Sequence, residues 1–222
     1  MKSKYHKLTE KQNRYIKIKS MTDRILAWVG LVILAPVFGI IVLAIKMEDG
    51  IKAPVFFCQD RVGINQTIFK LYKFRSMRRE TPHDVPTHLL ENPKQYITKT
   101  GKILRRTSMD ELPQLINIAR GDMYIVGTRP ALYNQDDLIA IREEYGVHQV
   151  KPGLTGWAQI NGRDELEIED KAKLDAYYVE HIGPAIDMKC LWGTIGSVIR
   201  SDGIVEGGTG ELKRRKKLAK RK

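Results

Sequence analysis

Cysteine is nearly missing from this sequence. Cys58 and Cys190 are the only two among 222 residues, and they stand in no metal-ligand spacing. Apolar residues flank both, Val55-Phe56-Phe57 before the first and Leu191-Trp192 after the second. Both are expected to be buried, reduced thiols, so a disulfide framework is not expected. Internal repeats are missing too. No small-x-small cleavage site follows the one long apolar stretch, and the basic lead before it is long, so a secretory signal is not expected. Acidic residues are missing from the last ten positions, which hold eight Lys or Arg. The first 24 residues hold eight more against Glu10 and Asp23. Of the formal +12, the two ends therefore carry +6 and +8, which leaves −2 for residues 25–212. A near-neutral body argues against a nucleic-acid enzyme with a basic groove. Basic ends suit an anionic lipid surface, where each cation contributes on the order of 1 kcal/mol before screening. Solvated tails account for the C-terminal charge equally well.

Charge is also missing from Ile25–Ile45, 21 residues bounded by Asp23-Arg24 and Lys46-Met47-Glu48-Asp49. A straight helix of that length reaches about 31 Å, enough for a bilayer core. Pro36 sits at its centre, with Gly30 and Gly39 on either side. Proline removes a backbone hydrogen bond and predicts a kink there. Two half-helices of about 15 Å can enter and return on one side. A plain kinked span is the other reading. The basic lead stays cytoplasmic by the positive-inside rule.

The body mixes strands and helices. Residues 54–76 read as a β-hairpin, with PVFFCQ and QTIFKLYKF as strands around a turn at Arg61–Asn65. Ile68, Lys70, Tyr72 and Phe74 face one way, and Phe69, Leu71 and Lys73 the other. Residues 80–98 carry three prolines and read as a loop. Short helices are expected at Gly101–Arg106 and Leu112–Ala119, a strand at Met123–Val126, and a turn at Gly127–Pro130. A helix over Asn134–Tyr145 would be capped by Asn134 and closed by Gly146. Lys151–Asp164 is turn-rich. Helices are expected at Leu166–His181 and Asp187–Arg200, the second with an apolar face suited to a core or a lipid interface. Residues 203–210 form a Gly-rich linker.

The chemistry-bearing stretch is Arg105-Arg106-Thr107-Ser108-Met109-Asp110-Glu111-Leu112-Pro113-Gln114. Pro113 belongs to a first helical turn, which places Asp110 beside an N-cap and Glu111 in the opening residues. Free N–H groups there favour anions and keep Asp110 ionised, as a carboxylate nucleophile must be. Glu111 can hold a divalent cation, and Arg105 and Arg106 can reach phosphate oxygens. Ser108 and Glu111 also fit a capping box. Taken alone, the stretch reads more readily as a cap. Lys73 and Arg75, interleaved with aromatic residues, and Arg129, in a tight turn after an apolar strand, add cations suited to a diphosphate.

With these residues in view, the chain resembles the bacterial sugar transferases, small monotopic phosphoglycosyl transferases acting on polyprenyl phosphate. The resemblance rests on ordered segments: the apolar lead with a central proline, QDRVG, FKLYKFRSM, LRRTSMDELPQLINIARGDMYIVGTRPAL, PGLTGWAQINGRD and IDMKCLWGTI. It implies an α+β, mostly helical monotopic membrane protein with a re-entrant N-terminal membrane helix, a small β-hairpin and interfacial amphipathic helices. The expected parts are a basic lead (1–24), the re-entrant helix (25–45), a cytoplasmic catalytic domain (46–202), and a linker with a basic tail (203–222).

The resemblance further implies transfer of a sugar 1-phosphate from a UDP-sugar to polyprenyl (undecaprenyl) phosphate with Mg²⁺. This would be the first membrane step of capsule, exopolysaccharide or other glycan assembly. Asp110 matches the nucleophile that takes up the phosphosugar as UMP leaves, and Glu111 the metal-binding partner. Lys73, Arg105, Arg129 and Asp187 match positions tied to phosphate handling or site integrity. The implied place is the cytoplasmic face of the cell membrane. The implied partners are an acidic lipid surface and downstream glycosyltransferases, not nucleic acid. Two departures stand out. Gly-Thr-Arg-Pro replaces the usual Gly-Pro-Arg-Pro at 127–130, which loosens that turn. Ala35 stands where many members have Ser before the membrane proline. The competing expectation is a non-enzymatic membrane-tethered scaffold with lipid-binding tails, which leaves the ordered motifs unexplained.

Overall fold

The computed structural model describes residues 5–82, 93–162 and 166–200, with side chains to residue 196. Helix α1 (Glu10–Ile33) opens at Thr9 with a capping box to Gln12. The chain breaks at Leu34 and resumes as α2 (Ala35–Asp49). Pro36 lies in the first turn of α2, where its missing N–H costs nothing, and the two axes meet at 61°. Ala35, which has no hydroxyl to bond a freed carbonyl, does not prevent the bend. Among the described residues no single helix is long and apolar enough to cross a membrane, although the bent pair passes that test together. The boundary expected at residue 24 falls inside one continuous helix. Ile25, Leu26, Trp28, Val29, Val32 and Ile33 on α1, and Ile40 and Leu43 on α2, are exposed.

The hairpin forms as expected, with the first strand shifted to run past the apolar residues and the second starting two residues later. Strands β1 (Phe56–Val62) and β2 (Ile68–Phe74) pair antiparallel from Phe56 opposite Phe74 to Val62 opposite Ile68. Arg61 is therefore in the strand and not in the turn. Helix α3 (Lys99–Arg106) starts two residues earlier than the sequence suggests, because the Thr98 hydroxyl accepts from the Gly101 amide. Glu48, at the end of α2, accepts from the Lys99 and Thr100 amides and so ties α2 to α3.

The next segment corrects the sequence reading. Ser108 takes a left-handed conformation (φ 57°) and makes no capping bond, so no capping box forms with Glu111. Met109–Glu111 is a single 3₁₀ turn, and Pro113 precedes α4 (Gln114–Arg120). Asp110 and Glu111 thus stand in a separate turn ahead of the helix. Gly121 closes α4 in the left-handed conformation that glycine adopts at least cost.

Strand β3 (Tyr124–Val126) pairs parallel with β4 (Gly153–Thr155), inside the segment that read only as turns. Helix α5 (Asp136–Glu144) is shorter than expected. Its N-cap is Gln135 and not Asn134, and no side chain caps it; left-handed Gly146 lies just beyond its end. Helices α6 (Trp157–Ile160), α7 (Ile168–Glu180) and α8 (Pro184–Arg200) complete the fold. On α8, Met188, Trp192 and Ile195 are exposed while Cys190 is buried. Cys58 is only partly buried, contrary to expectation. The architecture is α+β: helices around a hairpin and a two-stranded parallel pair. The main core joins Val126 with Val147, Val150, Tyr178, Val179 and Ile186. A second core packs α1 on α4 and β2 through Ala27, Ile118, Ala119 and Leu71. The loop expected at 80–98 falls largely, and the linker at 203–210 and the basic tail wholly, outside the described residues.

Candidate functional site

Three elements converge on Glu111. Strand β2 carries Lys73, the 3₁₀ turn carries Asp110 and Glu111, and the turn after β3 carries Arg129. Asn117 on α4 docks the first two. Its side-chain oxygen accepts from the Tyr72 amide at 3.0 Å, and its amide nitrogen donates to the Lys70 carbonyl at 2.7 Å. It is fully buried, so these bonds are shielded from water and fix β2 against α4. Lys73 Nζ then donates to Glu111 Oε1 at 2.8 Å, and Arg129 Nη2 donates to the same oxygen at 3.0 Å.

Backbone contact positions the Arg129 turn. The Gly127 amide donates to the Thr155 carbonyl and the Gly153 amide to the Thr128 carbonyl, each at 2.8 Å. Thr128 therefore sits in a turn pinned by its neighbour strand. The glycines are needed for space: a Cβ on Gly156 would lie 1.8 Å from the Gly127 carbonyl oxygen, and one on Gly153 would lie 2.1 Å from the Gly127 nitrogen. Gly156→Ala is expected to force the two turns apart and to cost about 1–3 kcal/mol of stability, as overpacking does. The urea unfolding midpoint reads this; an unchanged midpoint would show that the turns yield freely.

The two carboxylates differ in state. Burial alone would raise Glu111, but Arg129 and Lys73 outweigh it and hold Glu111 far below the usual carboxylate range. Asp110 is raised, chiefly by burial, with Lys73 opposing and the Glu111 charge reinforcing the rise. Asp110 is 9% exposed, and among the described residues no hydrogen bond or ion pair reaches its carboxylate. Glu111 is the fixed anion of the site, and Asp110 is the buried carboxylate with its lone pairs uncommitted. Arg105, half-buried at the end of α3, favours the Asp110 anion by its charge.

Two expected site residues lie elsewhere. Arg75 donates from Nε to the Pro54 carbonyl at the root of the hairpin. Asp187 is buried between α1 and α8, where it accepts from Lys19 Nζ (2.6 Å), Tyr15 (2.8 Å) and Tyr178 (2.8 Å). Lys19 also pairs with Asp23 at 3.2 Å, and Asp23 accepts from the Ile125 amide of β3. Asp187 thus belongs to a buried bolt between the bent helix pair and the strand that leads to Arg129. Asn117, Lys19 and Asp23 escaped the sequence reading. The i,i+4 spacing of Lys19 and Asp23 was the one available signal.

Among the described residues no three His, Cys, Asp or Glu side chains cluster as a ready-made metal cage. The adjacent oxygen donors Asp110 and Glu111 do fit a cation such as Mg²⁺, which takes one or two carboxylates and completes its shell with water and phosphate.

The family model described as bacterial sugar transferase matches residues 14–201. An uncharacterized sugar transferase, EpsL, of Bacillus subtilis is 43% identical over 167 residues, covering 75% of this chain and 79% of the relative. A UDP-glucose:undecaprenyl-phosphate glucose-1-phosphate transferase of Escherichia coli is 40% identical over 185 residues, covering 80% of this chain and 39% of the relative. A galactosyl transferase, CpsE, of Streptococcus agalactiae is 36% identical over 195 residues, covering 80% and 41%. The chain thus spans about two-fifths of the length of the latter two.

Proposed function

This chain belongs to the bacterial sugar transferase family, and from that premise we propose that it moves a sugar 1-phosphate from a UDP-sugar to polyprenyl phosphate at the cytoplasmic membrane face. The observation that carries the reading is the convergence of Lys73 and Arg129 on Glu111, beside an Asp110 whose carboxylate meets no hydrogen-bond partner among the described residues.

An Asp110 carboxylate oxygen attacks the phosphorus that bears the sugar. The bond to the bridging oxygen breaks, and UMP departs with that electron pair. An aspartyl-phosphosugar remains. A polyprenyl phosphate oxygen then attacks the same phosphorus, the bond to Asp110 breaks, and the lipid diphosphate-sugar leaves with Asp110 restored. Lys73 and Arg129 hold phosphate oxygens in line, which is most of what phosphoryl transfer requires. Glu111 keeps both cations in place. Glu111, with Asp110 adjacent, would hold Mg²⁺, which would supply further neutralisation of the diphosphate charge.

The bent pair α1–α2 supports a re-entrant seat in the membrane. Its exposed apolar face and the exposed Met188, Trp192 and Ile195 of α8 suit a lipid interface. The donor is water-soluble and the acceptor phosphate is confined to the membrane surface, so a site at that surface meets both. A relative of Sinorhizobium fredii named exopolysaccharide production protein ExoY supports exopolysaccharide assembly as the setting, and downstream glycosyltransferases would use the product.

The test is UMP release from UDP-sugars by the purified protein in detergent with Mg²⁺ and undecaprenyl phosphate. Release that depends on the lipid, together with a sugar-phosphate mass on the Asp110 peptide when the lipid is left out, is the expected result. Absence of release across the common UDP-hexoses would favour the tethered scaffold, which gives the Lys73–Glu111–Arg129 cluster no task.

A further inference from the structure

Arg61 occupies a position that the reaction above leaves unused. Directly paired residues of a hairpin share a face, so Phe57, Gln59 and Arg61 of β1 stand on the same face as Lys73, Leu71 and Phe69 of β2. That face carries the site. The Arg61 guanidinium donates from Nη2 to Gln59 Oε1 at 2.7 Å and from Nη1 to the Pro130 carbonyl at 3.1 Å. Its Nε is sealed from solvent and has no hydrogen-bond partner among the described residues. The main chain follows the same route. Arg61 bridges Leu132 antiparallel, and the Val62 amide donates to the Ala131 carbonyl at 3.0 Å. Residues 130–132, directly after Arg129, thus lie along the free edge of β1. The Arg129 turn is held on one side by β4 and on the other by Arg61.

Burial and then the Arg129 charge work against the Arg61 cation, while Glu111 favours it. A half-buried cation set against Arg129 is costly unless it is paired, and here two acceptors and the Glu111 charge offset that cost. The three donors of a lysine ammonium radiate from a single nitrogen and do not span Gln59 and Pro130 as the planar guanidinium fork does.

We infer that Arg61 is a positioning residue for Arg129: it clamps the Pro130 carbonyl and, as a second cation behind the turn, keeps the Arg129 guanidinium directed toward Glu111 and the donor diphosphate. The inference rests on the phosphosugar-transfer reading for its ligand, a nucleoside diphosphate. A residue acting through Arg129 loses its effect once Arg129 is gone.

The experiment is a double-mutant cycle of Arg61→Met, Arg129→Met and the double variant. It is read as the dissociation constant of UDP by calorimetry on the full chain in detergent. Arg61→Met is expected to weaken UDP about tenfold in the wild-type background and less than about twofold in the Arg129→Met background. Arg61→Lys should recover part of the loss. Equal loss in both backgrounds, or unchanged affinity with only a lowered melting temperature, overturns the assignment. Should Arg61→Met fail to fold, Gln59→Leu, which removes one of the two acceptors, enters the same cycle under the same criteria. A wild-type protein that binds UDP yet releases no UMP defeats the transfer reading while the cycle stays readable. One that binds no UDP overturns both.

Discussion

Asp110→Asn is expected to reduce UMP release by at least about a thousandfold, roughly 4 kcal/mol of barrier, while the protein stays folded and membrane-associated. Asparagine has the same shape but no anionic oxygen to attack phosphorus. The structural cost should be nil. No hydrogen bond among the described residues depends on the Asp110 carboxylate, and burial already disfavours its charge. The linkage sign follows from that shift. An acid whose folded pKa is raised binds its proton more tightly in the folded state, so its ionisation destabilises the fold as pH rises above the unfolded value of 3.8. The Asn variant escapes this term at neutral pH and should melt no lower than wild type there. The advantage should vanish below about pH 3.8, where the carboxyl is protonated in both states. Thermal unfolding in detergent at pH 7 and the Asp110 peptide mass after UDP-sugar exposure measure the two halves. A variant that keeps the adduct, or turns over normally, removes Asp110 from the role of nucleophile.

Glu111, one residue on, has the opposite assignment for a physical reason. Both are carboxylates in one short turn, but only Glu111 meets Lys73 and Arg129. Neighbouring acids with pKa values pushed apart divide the labour: one stays ionised as scaffold, and the other is free to react. The sequence assigned attack to Asp110 and a metal to Glu111 but expected a helix end to keep Asp110 ionised; the burial that raises Asp110 and the two cations that hold Glu111 low come from tertiary packing. The left-handed Ser108 separates the pair from α3 and prevents the capping box, and a serine in that conformation leaves no mark in a one-dimensional pattern. The β-hairpin was legible because its alternation is local. Strand β4 was not, because Gly153-Leu154-Thr155 has turn composition and becomes a strand only by parallel pairing with Tyr124–Val126. Asn117 looked like one polar residue in a short helix; its partners are 45 and 47 residues away on β2. Arg61 looked like a turn residue because strand β1 runs further than its apolar run.

The same lesson applies with more energy at stake to Lys19, which the sequence presents as one cation of a basic lead. It is 4% exposed, and its partner Asp187 lies 168 residues away. Lys19 neutralises two carboxylates, Asp187 and Asp23, each 6% exposed. Lys19→Met keeps the length of the chain and removes the charge, leaving both anions buried without their cation. Such a break is expected to cost about 3–5 kcal/mol. Urea unfolding in detergent, followed by tryptophan fluorescence, reads the loss, and a cost under about 1 kcal/mol would contradict it. The charge count makes a second demand. Adding Asp187→Asn to Lys19→Met removes one of the two stranded anions, so the double variant should be more stable than the single one. Activity should fall alongside stability for a traceable reason. Asp23 holds the Ile125 amide, and Tyr178, which donates to Asp187, also meets the Val126 carbonyl at 2.9 Å. Two residues after Val126 the chain reaches Thr128, and the next side chain is Arg129. A helix pair α1–α2 that loosens its grip on β3 therefore loosens Arg129 as well, which ties the apolar segment to the acidic pair through one strand.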